Sequence, residues 1–194
     1  MNKLNTITAG LACLVLSAGV MAQGVTDDEV VLGTSTALSG PAALWGVAAS
    51  RAAQIRFDMA NENGGVHGRQ IRVVLEDHQY QVPVHVKAMN KLLNLDKVFA
   101  TFNVLGTPMN LATAETQFAQ NVPMLFPMTT AQSVQEPEHD LKLTFGSSYY
   151  DQIRFAVGHF LATGRTSACV MYQDTAYGAE VLEAVTDEVA EHSG

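Results

Sequence analysis

EVVLGTSTALSGPAALWG, residues 29 to 46, decides how the chain folds. The apolar run Glu29–Gly33 reads as a strand. A loop of small residues with one tryptophan follows. Ala48, Ala52, Ile55 and Met59 then recur at helical spacing until Asn63-Gly64-Gly65 stops the helix. Strand, loop and helix in that order form the first unit of an alternating α/β chain. A loop of such small residues allows another group to approach its backbone closely.

The alternation continues outward from that unit. Ile71–Leu75 is the second predicted strand, and a helix follows Pro83 with Val82, Val86, Met89 and Leu93 on one face. Val98–Phe102 is the third strand, and Thr107-Pro108 opens a helix carrying Leu111, Ala114 and Phe118. Val122–Phe126 is the fourth, the polar loop Gln132–Asp140 comes next, and Leu141–Phe145 is a further strand or crossover. The pattern then restarts, with a helix through Ile153, Ala156, Val157 and Phe160, a strand at Ala168–Tyr172, and a helix through Leu182, Val185 and Val189. Strictly alternating units of this kind imply a parallel sheet flanked by helices. The segment 146–194 holds too little to close a second sheet, so the expectation is one complete lobe, 23–145, and the start of a second, 146–194.

Residues 1–22 have the layout of a secretory signal peptide: Lys3, an apolar stretch from Ala9 to Val20, and small residues before the end. That stretch is too short for a membrane span. Gly10-Leu11-Ala12 is a poor lipidation signal for Cys13, and cleavage after Ala22 is the reading adopted. The leader contains Lys3 and no acid, so its removal deepens the formal charge of −8. So acidic a chain argues against nucleic acid or an anionic membrane surface as partner. Cys169 would then be the only cysteine in the processed part, so no internal disulfide is available.

The loop at 33–46 admits three kinds of chemistry, and two of them fail. Five residues separate Gly40 from Gly46 where a phosphate-binding loop has four, and Val47 stands where a lysine is needed. Gly33-Thr34-Ser35-Thr36-Ala37 approaches a nucleophile elbow, with alanine in place of the last glycine. Its general base would come from six scattered histidines, at 67, 78, 85, 139, 159 and 192, any of which fits a surface position. Those histidines show no paired-ligand spacing, so neither a metal site nor a cofactor is expected. Glu136–Asp140 reads as a solvated acidic loop.

Holding a small molecule is what remains. In an open parallel sheet, ligands sit beyond the carboxyl ends of the strands. Leu38–Trp45, Asn103–Thr107 and Pro127–Thr130 all leave strands there. Thr107 and Pro108 suit a helix start, where free N–H groups favour a carboxylate. Taken singly, Thr107 reads as well as a plain cap, and Trp45 as a core residue.

The segments TALSGPAALWG, NENGGVHGRQIRVVLEDHQ, NVLGTPMNLATAE, VPMLFPMTTA and MYQDTAYG follow one another as in periplasmic substrate-binding proteins of ABC transporters. The chain most resembles the leucine/isoleucine/valine-binding type, with the type I periplasmic binding fold, from about Glu29 to Gly194. The resemblance implies two lobes with a ligand between them, no catalysis, a permease as partner, a monomer and a periplasmic location. It implies ligand-binding roles for Trp45 as an aromatic wall, Thr107 as carboxylate hydroxyl, Met128 and Thr130 as the backbone and hydroxyl positions after the fourth strand, and Tyr177 as the residue closing over the ligand. Tyr149 takes a pocket-edge position that is aspartate in branched-chain amino-acid binders. The expected ligand is therefore a small carboxylate: an amino acid, or an aromatic or other organic acid. A sensing domain of the same fold and an esterase are the alternatives.

Overall fold

The computed structural model describes residues 22–192. The leader reading and Cys13 lie outside the described residues, apart from Ala22. Within them the order is β1 (Glu29–Thr36), α1 (Ala43–Glu62), β2 (Gln70–Asp77), α2 (Val82–Asn94), β3 (Ala100–Phe102), α3 (Thr107–Ala119) and β4 (Met124–Leu125). There follow α4 (Gln132–Gln135), β5 (Lys142–Leu143), α5 (Tyr149–Ala162) and α6 (Ala176–His192). The strands form one sheet in the order β2-β1-β3-β4-β5, with every neighbouring pair parallel. All carboxyl ends therefore lie along one edge.

The core sits on one face of this sheet. Val31 of β1 meets Met89, Leu92 and Leu93 of α2, together with Val98 and Val122. Pro83 and Pro108, near the starts of α2 and α3, have a fixed backbone angle suited to a first helical turn. α5 is capped from the side chain: Ser148 Oγ accepts the N–H of Asp151 at 3.0 Å.

α1 covers the other face, rotated from the expected setting. Phe57 turns to the sheet and meets the ring of Phe102 edge to face at 5.3 Å. Ala48, Ala52, Ile55 and Met59 point to solvent instead. The helix is apolar on two sides, so its periodicity marks a helix without choosing the buried face. Gly46 fixes the rotation, because a methyl there would be driven into the carbonyl of Ala37.

Leu141–Phe145 resolves into a short strand, β5, followed by a crossover into α5. Ala168–Tyr172 is not a strand. The segment has no regular structure, and the Met171 side chain is 97% exposed. A strand needs a neighbour for its N–H and C=O groups, and among the described residues none pairs with this run. α5 and α6 pack on each other, with Arg154 Nε donating to Glu188 at 2.6 Å and the Tyr150 hydroxyl to Asp187 at 2.7 Å. The Glu180 carboxylate joins α6 to the sheet region, accepting the N–H groups of Gln132 at 3.0 Å and Tyr150 at 3.1 Å.

Candidate functional site

Four loops leave the carboxyl edge of the sheet and frame one cleft of about 580 Å³. The loop after β1 contributes Pro41, Ala42 and, from the first turn of α1, Trp45. Asp77 fixes this loop: its carboxylate accepts from Leu38 N–H at 2.9 Å and Ser39 Oγ at 2.6 Å. Burial pushes the Asp77 carboxyl upward, but the bonds from Ser39, Leu38 and Gln79 outweigh it and hold the group below the ordinary carboxylate value. Gly40 has a φ of 76°, a conformation in which glycine carries no side-chain penalty. Trp45 is 66% exposed, so the structure places it at the cleft and not in the core.

The loop after β3 brings Leu105, Gly106 and Thr107 to the start of α3. Gly106, not Thr107, is the N-cap residue, with a φ of 106°. Thr107 makes no side-chain cap; its hydroxyl lies 2.7 Å from that of Thr129. Thr129 Oγ1 also accepts the N–H of Ala131 at 3.2 Å. Two buried hydroxyls share one hydrogen bond here, each with a single proton. The first N–H groups of α3 have no acceptor within the helix, and with its dipole they give this end a positive field.

The loop after β4 supplies Met128, Thr129 and Thr130. The backbone of Met128 pairs with the loop after β3, its N–H donating to Val104 at 2.9 Å and its C=O accepting from Gly106 at 3.4 Å, and the residue lines the cleft. Beyond the crossover, Phe145, Tyr149, Gln173 and Tyr177 form the opposite wall. The Tyr149 and Tyr177 rings meet edge to face with centroids 5.1 Å apart. Trp45, Thr107, Met128, Thr130, Tyr149 and Tyr177 thus come together around one space.

Sequence reasoning passed over the loop after β2. That loop places Tyr80 in the cleft, its ring beside Gly106, where a methyl would approach Tyr80 Cε2 to 3.2 Å. Burial, with Tyr149 and Tyr177 nearby, raises the Tyr80 phenol above its ordinary value, so it stays protonated and able to donate. Its signal was positional, since it follows β2 at the same edge as the other three loops. Phe145 and Gln173 were also missed. Among the described residues no lining side chain is charged, whereas five are aromatic.

The serine of the elbow motif does have a histidine. Ser35 Oγ lies 3.0 Å from His85 Nδ1, and His85 Nε2 lies 3.0 Å from Thr113 Oγ1. Both residues are fully buried beneath α2, on the core side of β1, and neither lines the cleft. Burial, reinforced by His78, depresses the His85 pKa to about 3, too low for a general base at neutral pH. An orienting carboxylate is replaced by a threonine. The expectation that any of the histidines fits the surface is corrected here, because His78 and His85 have no exposed surface at all.

A sheet with its cleft at the carboxyl edge, closed from one side by a second helical segment, defines a two-walled α/β binding scaffold. The sequence matches the family described as periplasmic binding protein over residues 29–194. The chain belongs to this family, and its layout is the type I periplasmic binding fold. Among solved structures, a substrate-binding periplasmic protein from Ralstonia solanacearum is 27% identical with a TM-score of 0.80, over 85% of this chain and 47% of that one. A fatty acid ABC transporter substrate-binding protein from Thermomonospora curvata is 24% identical with a TM-score of 0.76, over 88% and 43%. A branched chain amino acid ABC transporter protein from Thermus thermophilus with bound valine is 18% identical with a TM-score of 0.77, over 89% and 44%. No curated protein matches the chain. The chain spans about half the length of the solved structures it matches.

Proposed function

We propose that the protein is the solute-binding component of an ABC transporter, exported by a cleaved leader to the periplasm. It captures a small carboxylate with an apolar body and delivers it to a permease. Residues 23–145 form the ligand-binding lobe and 146–194 begin a second lobe, which supplies the facing wall. The observation that carries this reading is the convergence of the α3 N-terminus with five aromatic rings in one cleft. The helix start suits a carboxylate, and the rings suit an aromatic or aliphatic body.

In this reading Trp45 and Met128 pack on the ligand body, Thr107 and Thr130 offer hydroxyls, and Tyr149 and Tyr177 close the far side. A thermal-shift screen with leucine, benzoate, octanoate and a chromogenic ester tests it, because a ligand of the folded state raises apparent stability. Stabilisation by one of the acids, without ester turnover, is expected. Ester turnover with no shift from any acid would sink the proposal.

A further inference from the structure

His78 occupies the turn between β2 and α2 with no exposed surface. Its Nδ1 accepts the backbone N–H of Tyr80 at 2.9 Å. Its Nε2 lies 3.1 Å from the carbonyl oxygen of Leu105, which can only accept. One ring nitrogen accepts and the other must donate, so the ring is neutral with its proton on Nε2. Both partners, Tyr80 and Leu105, line the cleft.

The turn does not hold this shape by itself. Gln79 and Tyr80 have φ values of 54° and 57°, consecutive left-handed residues that are not glycine. Such conformations are strained for residues that carry a side chain and persist where surrounding bonds over-determine them. Asp77 Oδ1 supplies one such bond to Gln79 N–H at 2.9 Å, and His78 Nδ1 supplies the next to Tyr80. Asp77 also reaches Leu38 and Ser39, so two adjacent residues tie three of the four cleft loops together. Tyr80, so held, sets its ring against Gly106 at the start of α3.

We propose that His78 is a positioning residue for the cleft: its neutral, Nε2-protonated ring locks Tyr80 to the Leu105–Thr107 loop, and ligand affinity requires that form. The inference rests on the reading that the cleft holds the ligand. A doubly protonated ring would set its Nδ1–H against the Tyr80 N–H and release that side of the lock. The titratable groups facing the ring are Asp77 beside it in the chain, His85 from α2 with its ring centroid 5.5 Å away, and Tyr80 at 6.3 Å. Burial outweighs the Leu105 bond and the Asp77 charge, and holds the His78 pKa below its ordinary value of 6.5. The lock is therefore closed at neutral pH and opens on acidification.

The test uses two substitutions that separate the bonds. His78→Asn places an acceptor near the Nδ1 position, and His78→Gln places a donor near Nε2. Affinity of the full chain for leucine, benzoate and octanoate is measured by calorimetry at pH 7.5 and 5. Each substitution is expected to weaken binding about threefold to tenfold, as for one neutral hydrogen bond, and His78→Ala more than either. Acidification is expected to weaken wild-type binding more than His78→Gln binding, and the difference between the two removes any titration of the ligand itself. Long-range ¹⁵N–¹H NMR of the histidine rings reads the tautomer with no ligand, so the test survives if none of the three acids binds. An Nδ1–H tautomer would overturn the inference. So would wild-type affinity in both His78→Asn and His78→Gln while Tyr80→Ala binds weakly. If Tyr80→Ala, Trp45→Ala and the His78 variants all bind as wild type, the cleft reading itself is overturned.

Discussion

The sheet region, through β5, and the α5–α6 pair are both rich in apolar residues, yet they bury them differently. In the first, Met89, Leu92, Leu93, Val98 and Val122 have almost no exposed surface. In the second, α5 has no buried residue, Phe155 is 82% exposed, and among the described residues the apolar run Ala168–Tyr172 has no strand beside it. Composition is similar, so the difference lies in partners. A parallel sheet buries both faces only where helices cover it, and a strand exists only where another strand accepts its hydrogen bonds.

Removing one large apolar side chain from each region should expose this contrast most strongly. Leu92→Ala empties a fully buried position and is expected to cost about 2–5 kcal/mol in denaturant unfolding. Phe155→Ala removes a larger side chain from solvent and should stay within about 0.5 kcal/mol. Equal losses would mean that the second region has a core of its own.

Acid should act on the sheet region first. His78 and His85 have folded pKa values below their ordinary 6.5, His85 at about 3, so the unfolded chain binds more protons between those limits. Stability therefore falls as pH drops below about 6.5, by at most about 1.4 kcal/mol per pH unit for each histidine. Asp77, lowered from 3.8, adds to the loss only below that value. His159 and His192 of the second region are exposed. Denaturant midpoints at pH 7, 5.5 and 4.5 check this, and a flat profile would contradict the burial of the pair.

Trp45→Ala probes the cleft between the two regions. Two thirds of its surface is exposed, so unfolding free energy should change by less than about 1 kcal/mol while affinity for an accepted acid falls roughly tenfold. A large stability loss with unchanged affinity would return Trp45 to a core role. Arg154→Ala, which removes the part-exposed bridges from α5 to Glu188 and Glu191 on α6, should shift the denaturant midpoint least of all these variants. A shift as large as that of Leu92→Ala would show those ion pairs carry the packing of the second region.

The sequence by itself determined the α/β alternation, the helix starts at Pro83 and Pro108, the stop at Asn63-Gly64-Gly65, and the loops that leave the carboxyl edge. These depend on local signals: proline fixes a backbone angle, glycine frees one, and apolar spacing marks helix or strand. Only the tertiary structure decided which face of α1 turns inward, because that helix is apolar on two sides and the steric demand at Gly46 comes from Ala37 in a different element. It alone left Ala168–Tyr172 without a strand, for want of a neighbour among the described residues. It also converted the elbow serine into a core residue bonded to His85, and joined His78 to Leu105 across 27 positions of sequence. Hydrogen bonds between distant loops leave no periodicity along the chain, so Tyr80 and the histidine that holds it stayed invisible until the loops were brought together.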